Sequence, residues 1–234
     1  MKKINAIITV LLIAIGGAVI LSSCSKLKLQ KDFDRSTTDT LDAHVYKDAW
    51  AYLKSRAYGS KTDTVFRRMY DAIIYSGIDT NLYIQQNKTY LFYTNAAVTT
   101  SKTGLWAAYQ TAKKTAAKSF KDYNAGDLKN YLLFLIIDGQ YSHYNLPLTD
   151  VDVKTQAPIG IFNTNFTGFV IPAFTANNPN STMRLKVLNS SPGNTSDYPI
   201  QINSTYNVYS SDYLATNGVI QVMNTPVSPI YPIQ

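Results

Sequence analysis

The stretch SSDYLATNGVIQVMNTPVSP, Ser210 to Pro229, combines a turn signal with a short apolar run. Asn217-Gly218 favours a tight turn, because both residue types adopt positive φ at low cost. The run that follows, Val219 to Met223, is apolar on both faces and predicts a central strand of a sheet. Pro226 has no backbone N–H to donate and ends that strand. The stretch therefore predicts a buried strand entered by a turn in which Gly218 takes a positive φ.

Upstream of this strand, the first half of the chain is dominated by helical patterns, in which apolar residues recur at a spacing of three or four. A short β-rich run, TYLFY at 89–93, predicts one buried strand among them. The predicted helices run from Asp39 or Thr40 to about Tyr58, from Asp63 to Gly77, with interruptions from Thr94 or Asn95 to about Phe120, and from Asp127 to Asp138, closed by Gly139.

After Gly139 the pattern changes to short apolar runs separated by Pro, Asn, Thr and Gly. Helices followed by strands predict an α+β domain rather than βαβ repeats. Residues 177–197 are rich in Asn, Ser, Pro and Gly and predict a loop-rich segment around one strand. The predicted strands are PIGIF at 158–162, FVIPAF at 169–174, RLKVLN at 184–189, YPIQIN at 198–203 and GVIQVM at 218–223.

The N-terminus has the layout of a secretory signal peptide. Lys2 and Lys3 precede an uncharged apolar run that ends in LSSC, with Cys24 as the only cysteine. A transmembrane helix is the alternative, since about 18 uncharged residues can just span a bilayer. The LSSC sequence resembles the lipobox of bacterial lipoproteins, which implies lipidation of Cys24 and, with Ser25 next, an outer-membrane location. We therefore expect a signal peptide at 1–23, a lipidated tether at 24–37 and a single domain at 38–234.

Composition narrows the classes of function. All 15 acidic residues are Asp, and the chain contains 18 Tyr. Residues 24–129 carry 17 basic and 10 acidic side chains, so this half is basic. A basic half can meet anionic lipid headgroups or acidic glycans, or it can consist of solvated helix faces. Nucleic acid is not expected as a partner of an exported, lipidated chain.

Three ordered segments resemble the conserved boxes of fasciclin (FAS1) domains. The C-terminal stretch ATNGVI, followed by Val222, matches the box ATNGVIHVIDxVLxP, with Gln221 in place of its His. LKNYLLFLIIDGQY, at 128–141, resembles LxNLLxYHVVxGxY, with Leu135 at the His position. TYLFYTNAAV, at 89–98, resembles TVFAPTNxAF, with Tyr93 in place of its proline. The matching residues are Thr89, Phe92, Thr94, Asn95, Leu128, Asn130, Tyr131, Gly139, Tyr141, Thr216, Asn217, Gly218, Val219, Ile220 and Val222.

The resemblance implies a FAS1-like fold, with N-terminal helices packed on a sandwich or wedge of short strands. It also implies a non-catalytic role in adhesion or scaffold binding, with no cofactor and no metal. The stretch at about 150–205 matches poorly and is the expected place for whatever is specific to this protein. The alternative function is an accessory lipoprotein that presents a glycan or peptide to an outer-membrane uptake system.

Few side chains suggest catalysis. His44 is expected on a helix flank, and His143 on a surface loop, although Asp138 nearby makes it a candidate for titration or metal binding. Asp150 and Asp152 would point the same way in a strand, as calcium ligands do, but two carboxylates rarely suffice. No motif of a nucleophile elbow or phosphate loop occurs.

Tyrosines of the C-terminal half are the candidates for ligand contact, because aromatic faces stack on sugar rings and are frequent at interfaces. Tyrosine also suits strands, so ordinary sheet composition is the alternative. The candidate contact residues are Tyr144, Tyr198, Tyr206 and Gln221, the last because it occupies the position of the family's histidine.

Overall fold

The computed structural model describes residues 42–117, 119–162, 178–188 and 199–229. All of these residues except Asp42 belong to one compact unit, residues 43–234. The predicted signal peptide, Cys24, the tether, the FVIPAF run and Tyr198 lie outside the described residues. The α-helices are α1 (Ala49–Tyr58), α2 (Arg67–Ser76), α3 (Asn95–Thr99), α4 (Leu105–Lys113) and α5 (Ala125–Phe134), with 3-10 helices at Thr80–Ile84 and Phe120–Asp122. The strands are β1 (Lys88–Tyr93), β2 (Ile136–Asp138), β3 (Val151–Lys154), β4 (Thr182–Val187), β5 (Ile200–Ile202), β6 (Tyr206–Asn207), β7 (Ser210–Ala215) and β8 (Gly218–Met223).

The strands form two four-stranded sheets, in the orders β2-β1-β8-β7 and β3-β4-β5-β6. The first sheet is mixed, because β1 and β8 run parallel from the pair Lys88 and Gly218 to the pair Tyr93 and Met223. Every other named pairing is antiparallel. The α+β class is confirmed, and so is the central position of β8, whose six residues are all buried.

Alternation of apolar and polar residues along β4 determines which face of the second sheet is buried. Met183, Leu185 and Val187 of β4 are buried and the residues between them are only partly covered, as a half-buried strand requires. Side chains of both sheets and of the helices join one hydrophobic cluster. Phe134 at the end of α5 meets Phe162 edge-on, with ring centroids 5.3 Å apart.

The first helix begins later than the sequence predicts. Asp48 caps α1 by accepting a hydrogen bond from the amide of Ala51 at 2.7 Å, and the residues before it are not helical. His44, expected on a helix flank, instead forms an isolated bridge to Leu214 of β7, whose carbonyl accepts a hydrogen bond from the amide of Val45. The prediction is therefore wrong for residues 42–47, which are not helical, and the predicted start at Asp39 or Thr40 lies outside the described residues.

The second and last predicted helices also differ at their ends. Helix α2 starts at Arg67 rather than at Asp63, and it ends at Gly77 in the left-handed conformation (φ 64°), as expected. Helix α5 starts at Ala125, two residues earlier than predicted, and Asn124 is its N-cap. It ends at Phe134, and Ile136–Asp138 forms the edge strand β2 against β1. An uninterrupted apolar run fits a helix and a buried strand equally well, and here the pairing with β1 decides.

The prediction of a strand at PIGIF, residues 158–162, is wrong. Residues 158–161 form a turn, Ile159 is 82% exposed, and only Phe162 makes an isolated bridge, to Asn178. Gly160 within this segment has φ +84°, which breaks an extended conformation.

Candidate functional site: motif residues and two surface grooves

The asparagine of the C-terminal motif is an internal hub. Asn217 is 1% exposed, and its Oδ1 accepts a hydrogen bond from the amide of Ala49, the first residue of α1, at 2.9 Å. Its Nδ2 lies 3.0 Å from the carbonyl oxygens of Tyr83 and Gln85 and 2.9 Å from the hydroxyl of Tyr90. One side chain thus connects the start of α1, the end of a 3-10 helix and β1.

Gly218 is required for a different reason than the sequence predicts. It does not have a positive φ and forms the first residue of β8. A Cβ at this position would lie 2.1 Å from the carbonyl oxygen of Lys88, its partner in β1. The prediction of a positive φ is wrong, and close approach of the neighbouring backbone is what excludes a side chain.

Asn95, from the first motif, plays a similar part for α2. Its Oδ1 accepts a hydrogen bond from the amide of Arg68 at 3.0 Å, and its Nδ2 donates to the carbonyl of Thr64 at 2.7 Å. Phe66, at the N-cap position of α2, supplies no side-chain cap. Asparagines of two separate motifs therefore satisfy free amides at the starts of the first two helices.

Tyr93 of the first motif and Tyr131 of the middle motif form a buried pair. The hydroxyls of Tyr93 and Tyr131 are 2.6 Å apart. Tyr131 donates to the carbonyl of Val227 at 2.8 Å, and the amide of Val227 donates to the Tyr93 hydroxyl at 2.7 Å. Burial raises the pKa of Tyr131 well above its ordinary value. The tyrosine that replaces the family's proline thus holds the segment after β8.

The remaining motif residues are also mostly internal. The Thr89 hydroxyl donates to the carbonyl of Gly139 and accepts from the amide of Tyr141, both at 2.8 Å. Gly139 has φ +107°, which favours glycine there. Buried motif residues are Thr89, Phe92, Thr94, Leu128, Tyr131, Asn217, Gly218, Val219, Ile220 and Val222; Asn95, Asn130, Gly139 and Tyr141 are partly exposed, and Thr216 is exposed.

Gln221 is not available for contact with a ligand. It is 2% exposed, its Oε1 accepts from the amide of Asp212, and its Nε2 donates to the carbonyl of Tyr141 and to Asp212 Oδ1, each at 3.0 Å. Asp212 lies at an irregularity in β7 with φ 61°. The expectation of an accessible Gln221 is overturned, since its amide stabilises this irregularity instead.

His143 pairs with Asp212 rather than with Asp138. Its Nδ1 lies 2.7 Å from Asp212 Oδ2, whereas Asp138 contacts Lys88 and Gln156. Within the described ranges, no group of three or more His, Cys, Asp or Glu side chains is placed to hold a metal ion.

The two aspartates considered for calcium face cations. Asp152 accepts two hydrogen bonds from Arg184, from Nε at 2.8 Å and from a terminal nitrogen at 3.1 Å. Asp150 lies 3.1 Å from Lys186 Nζ. Arg184 and Lys186 belong to the adjacent strand β4, so the carboxylates are neutralised across the sheet.

Of the candidate contact tyrosines, Tyr144 is 88% exposed and Tyr206 is partly buried. Burial raises the pKa of Tyr206, and hydrogen bonds from Ser228 oppose that shift. Tyr206 lines a groove of about 410 Å³ between β6 and the start of α4, which we call the Tyr206 groove. Its other lining residues are Lys102, Thr103, Gly104, Ala108, Thr111, Thr205, Asn207, Thr225 and Pro226.

A second groove, of about 470 Å³, lies between the end of α1, α2 and the 3-10 helix Phe120–Asp122. We call it the helical groove. Four aromatic side chains line it together with three charged ones. The full lining is Tyr58, Arg68, Tyr70, Asp71, Ile74, Tyr75, Ser119, Phe120 and Lys121.

The aromatic rings of the helical groove are held in place. Tyr58 donates its hydroxyl to Asp71 Oδ1 at 2.7 Å, and this bond raises the pKa of Tyr58. Arg67 lies over the Tyr58 ring at 5.0 Å, and Tyr70 meets the same ring edge-on at 5.2 Å. Trp50 stacks on Tyr70 at 5.4 Å. The rings therefore form a fixed cluster, although Tyr58 is 52% exposed.

The sequence did not predict this groove. At helical spacing, Tyr70 and Ile74 belong to the apolar stripe of α2 that includes the buried residues Met69 and Ile73, yet Ile74 is 53% exposed. Tyr58 was noted only as a helix end. The signal was the width of the α2 stripe, which exceeds what one buried face needs, but the relative placement of two helices and a distant 3-10 turn does not follow from spacing.

None of the helices in the described part of the chain is both long and apolar enough to cross a membrane. No protein-family model and no curated protein sequence matches the chain. Among solved structures, it is similar to the FAS1 domain pair of the insect cell adhesion molecule fasciclin I, with 18% sequence identity and a TM-score of 0.45. The match covers 78% of this chain and 51% of that one, so the chain spans about half the length of the solved protein.

Proposed function

We propose that this protein is a lipid-anchored, non-catalytic binding module of the cell envelope with an adhesive or scaffold role. The observation that supports it is the helical groove, where aromatic rings are held rigidly at the surface beside charged groups. Fixed aromatic side chains bind at low entropic cost and are frequent at recognition surfaces. Most polar residues of the FAS1-like motifs are buried or bonded inside the fold, which favours the grooves as the surfaces for contact.

Binding is tested with purified protein, residues 25–234, against host matrix proteins and envelope polysaccharides. Saturable binding to at least one of them at tens of micromolar or below supports the proposal. No binding to any of them would contradict it. A hydrolase panel on the same protein tests the absence of catalysis, with His143→Ala as the control for any activity that appears.

The lipid anchor rests on Cys24 and the signal-like segment before it. Several acyl chains anchor a protein stably, since each buried methylene contributes about 0.8 kcal/mol. Cys24→Ser should leave an uncleaved or soluble precursor, and globomycin should cause the lipidated precursor to accumulate in the wild type. A Cys24→Ser protein that still carries labelled palmitate and fractionates with the outer membrane would disprove this anchor.

The second candidate is an accessory lipoprotein of an outer-membrane uptake system. The Tyr206 groove favours it, because this groove combines an aromatic ring with several hydroxyl groups beside the segment that resembles FAS1 domains least. Neighbouring genes for a transporter and for hydrolases would support uptake. Normal growth of a deletion strain on glycans, together with no such neighbours, would count against it.

A further inference from the structure

We propose that the helical groove binds an acidic polysaccharide, with the Tyr58 ring against the face of a sugar and nearby cations against its carboxylates. This inference rests on the proposed binding function and assigns it a site and a ligand class. The groove is open to solvent, so it suits a stretch of a chain rather than an enclosed small molecule, and its volume lies within the range of ligand sites.

The first step of the argument is the exposure of Tyr58. More than half of this side chain faces solvent, yet its hydroxyl is bonded to Asp71 and its ring is flanked by Tyr70 and Arg67. An exposed ring that does not rotate freely loses little entropy when a ligand covers it. Aromatic rings present an apolar face with a polar tip, which matches the alternating C–H and hydroxyl surfaces of a sugar ring.

The second step is charge. Arg68 and Lys121 line the groove, Arg67 borders it at Tyr58, and Asp71 is the one acid in the lining. That acid already accepts the Tyr58 hydroxyl and lies 4.0 Å from Arg68. The groove therefore has an excess of positive charge and donors. Guanidinium groups bind carboxylates through paired hydrogen bonds, and a neutral glycan would leave these charges unmatched.

The third step is the combination of both features. A groove that was only basic would attract any polyanion, and one that was only aromatic would suit apolar segments. Stacking surface and cations within one lining select a ligand that carries ring faces and carboxylates together. In an exported protein, a polysaccharide that contains uronic acids has this chemistry.

The test uses the full chain, purified in detergent, with polygalacturonate as the acidic probe and dextran as the neutral one. We expect measurable binding of polygalacturonate that weakens as ionic strength rises, and no comparable binding of dextran. Tyr58→Ala should weaken binding about tenfold, whereas Tyr58→Phe keeps the ring but loses the hydrogen bond to Asp71 and should weaken binding less than Tyr58→Ala does. Arg67→Gln should also weaken it.

Matched control variants distinguish binding at this groove from binding that depends only on the overall charge or the number of exposed tyrosines. Tyr144→Ala removes an exposed tyrosine, and Lys154→Gln removes an exposed cation of β3, and neither should change binding. Circular dichroism and the melting temperature confirm that each variant is folded. Equal effects of Tyr58→Ala and Tyr144→Ala would overturn the inference, as would equal binding of dextran.

The remaining outcomes distinguish this inference from the proposed function. If matrix proteins or other glycans bind equally well to wild type and to Tyr58→Ala, the helical groove is not the binding site, although the protein is still a binding module. Tyr58-dependent binding of poly-aspartate as tight as that of polygalacturonate would replace the polysaccharide by an acidic peptide. No binding of any probe or matrix protein would refute both.

Discussion

The side chain of Asn217 accepts a hydrogen bond from the amide of Ala49, which lies 168 positions earlier in the chain. An asparagine that opens a turn in the sequence therefore serves as a helix cap for a distant element. Asn95 does the same for α2. Architecture thus explains both asparagines: they attach the first two described helices to the sheet that contains β1 and β8.

Asn217→Ala should be among the most damaging single changes. It leaves the buried amide of Ala49 and the carbonyl of Tyr83 without their Asn217 partner, whereas the carbonyl of Gln85 keeps its hydrogen bond from the Tyr90 hydroxyl. We expect a loss of about 2–4 kcal/mol in the free energy of unfolding. Urea denaturation followed by circular dichroism measures it. Asn207→Ala, at an exposed position of β6, is the control, and equal effects of the two changes would disprove the hub.

Gly218 and Gly77 require glycine for two different physical reasons, which substitution by alanine distinguishes. Gly218→Ala should cost more than about 2 kcal/mol, because its Cβ would collide with the Lys88 carbonyl, and Gly218→Val should cost at least as much. Gly77→Ala has open space around its Cβ but φ +64°, so about 1 kcal/mol is expected. The urea midpoints of the two alanine variants measure the difference. If Gly218→Ala lowers the free energy of unfolding less than Gly77→Ala does, the backbone of β1 does not approach Gly218 as closely as described.

Gln221→Ala should cost about 1–3 kcal/mol rather than being tolerated. The change removes the partner of the Asp212 amide and of the Tyr141 carbonyl from a buried site. Val222→Asp, which buries a charge in the same strand, should remain worse. Unfolding curves of the two variants rank them. A Gln221→Ala protein as stable as wild type would show that the irregularity in β7 does not need this amide.

Tyr83 and Tyr131 should respond in opposite directions to loss of the hydroxyl. The Tyr83 hydroxyl is buried without a hydrogen-bond partner among the described residues, so Tyr83→Phe should be neutral or stabilise the fold by up to about 1 kcal/mol. Tyr131→Phe leaves the carbonyl of Val227 unpaired and should cost about 1–2 kcal/mol. Melting temperatures give the sign of each change, and a destabilised Tyr83→Phe would refute this difference.

Stability should fall steeply above pH 10. Desolvation raises the pKa of several buried tyrosines above the ordinary value near 10, so the folded state keeps protons that the unfolded state releases. Their contribution is complete below about pH 10 and is lost as pH rises through the folded-state pKa values. Each such tyrosine adds a slope of about 1.4 kcal/mol per pH unit. Urea unfolding between neutral pH and pH 11 measures how the free energy of unfolding depends on pH. Tyr83→Phe removes one such tyrosine and should reduce the slope by about 1.4 kcal/mol per pH unit.

Local patterns predicted the elements whose geometry is decided within a few residues. The buried run GVIQVM, the stop at Gly77 and the alternation of Met183, Leu185 and Val187 all have the predicted structure. The errors arose where a distant partner decides. The carbonyl of Leu214 accepts the amide of Val45, in a segment predicted as helix. Pairing with β1 makes the end of the apolar run after α5 a strand, β2.

The candidate site shows the same division. The sequence identified Asn217 and Gly218 but not why they are needed, because their partners Ala49 and Lys88 lie far away in the chain. It also assigned Gln221 to the surface, since a polar residue within an apolar strand gives no sign of the irregularity that it satisfies. The helical groove depends on how three elements pack, which periodicity does not encode.

The parallel pairing of β1 with β8 has a consequence for the order in which the protein matures. Strand β1 lies near the middle of the first sheet, but its parallel neighbour is joined to it by more than a hundred residues. Loop closure on this scale is slow, and high contact order lowers the folding rate. A chain that emerges N-terminus first from a translocation pore thus exposes an unfinished sheet, with α1 lacking its Asn217 cap, until β8 arrives. During the export that we propose, chaperone binding and proteolysis should therefore act on nearly full-length chains.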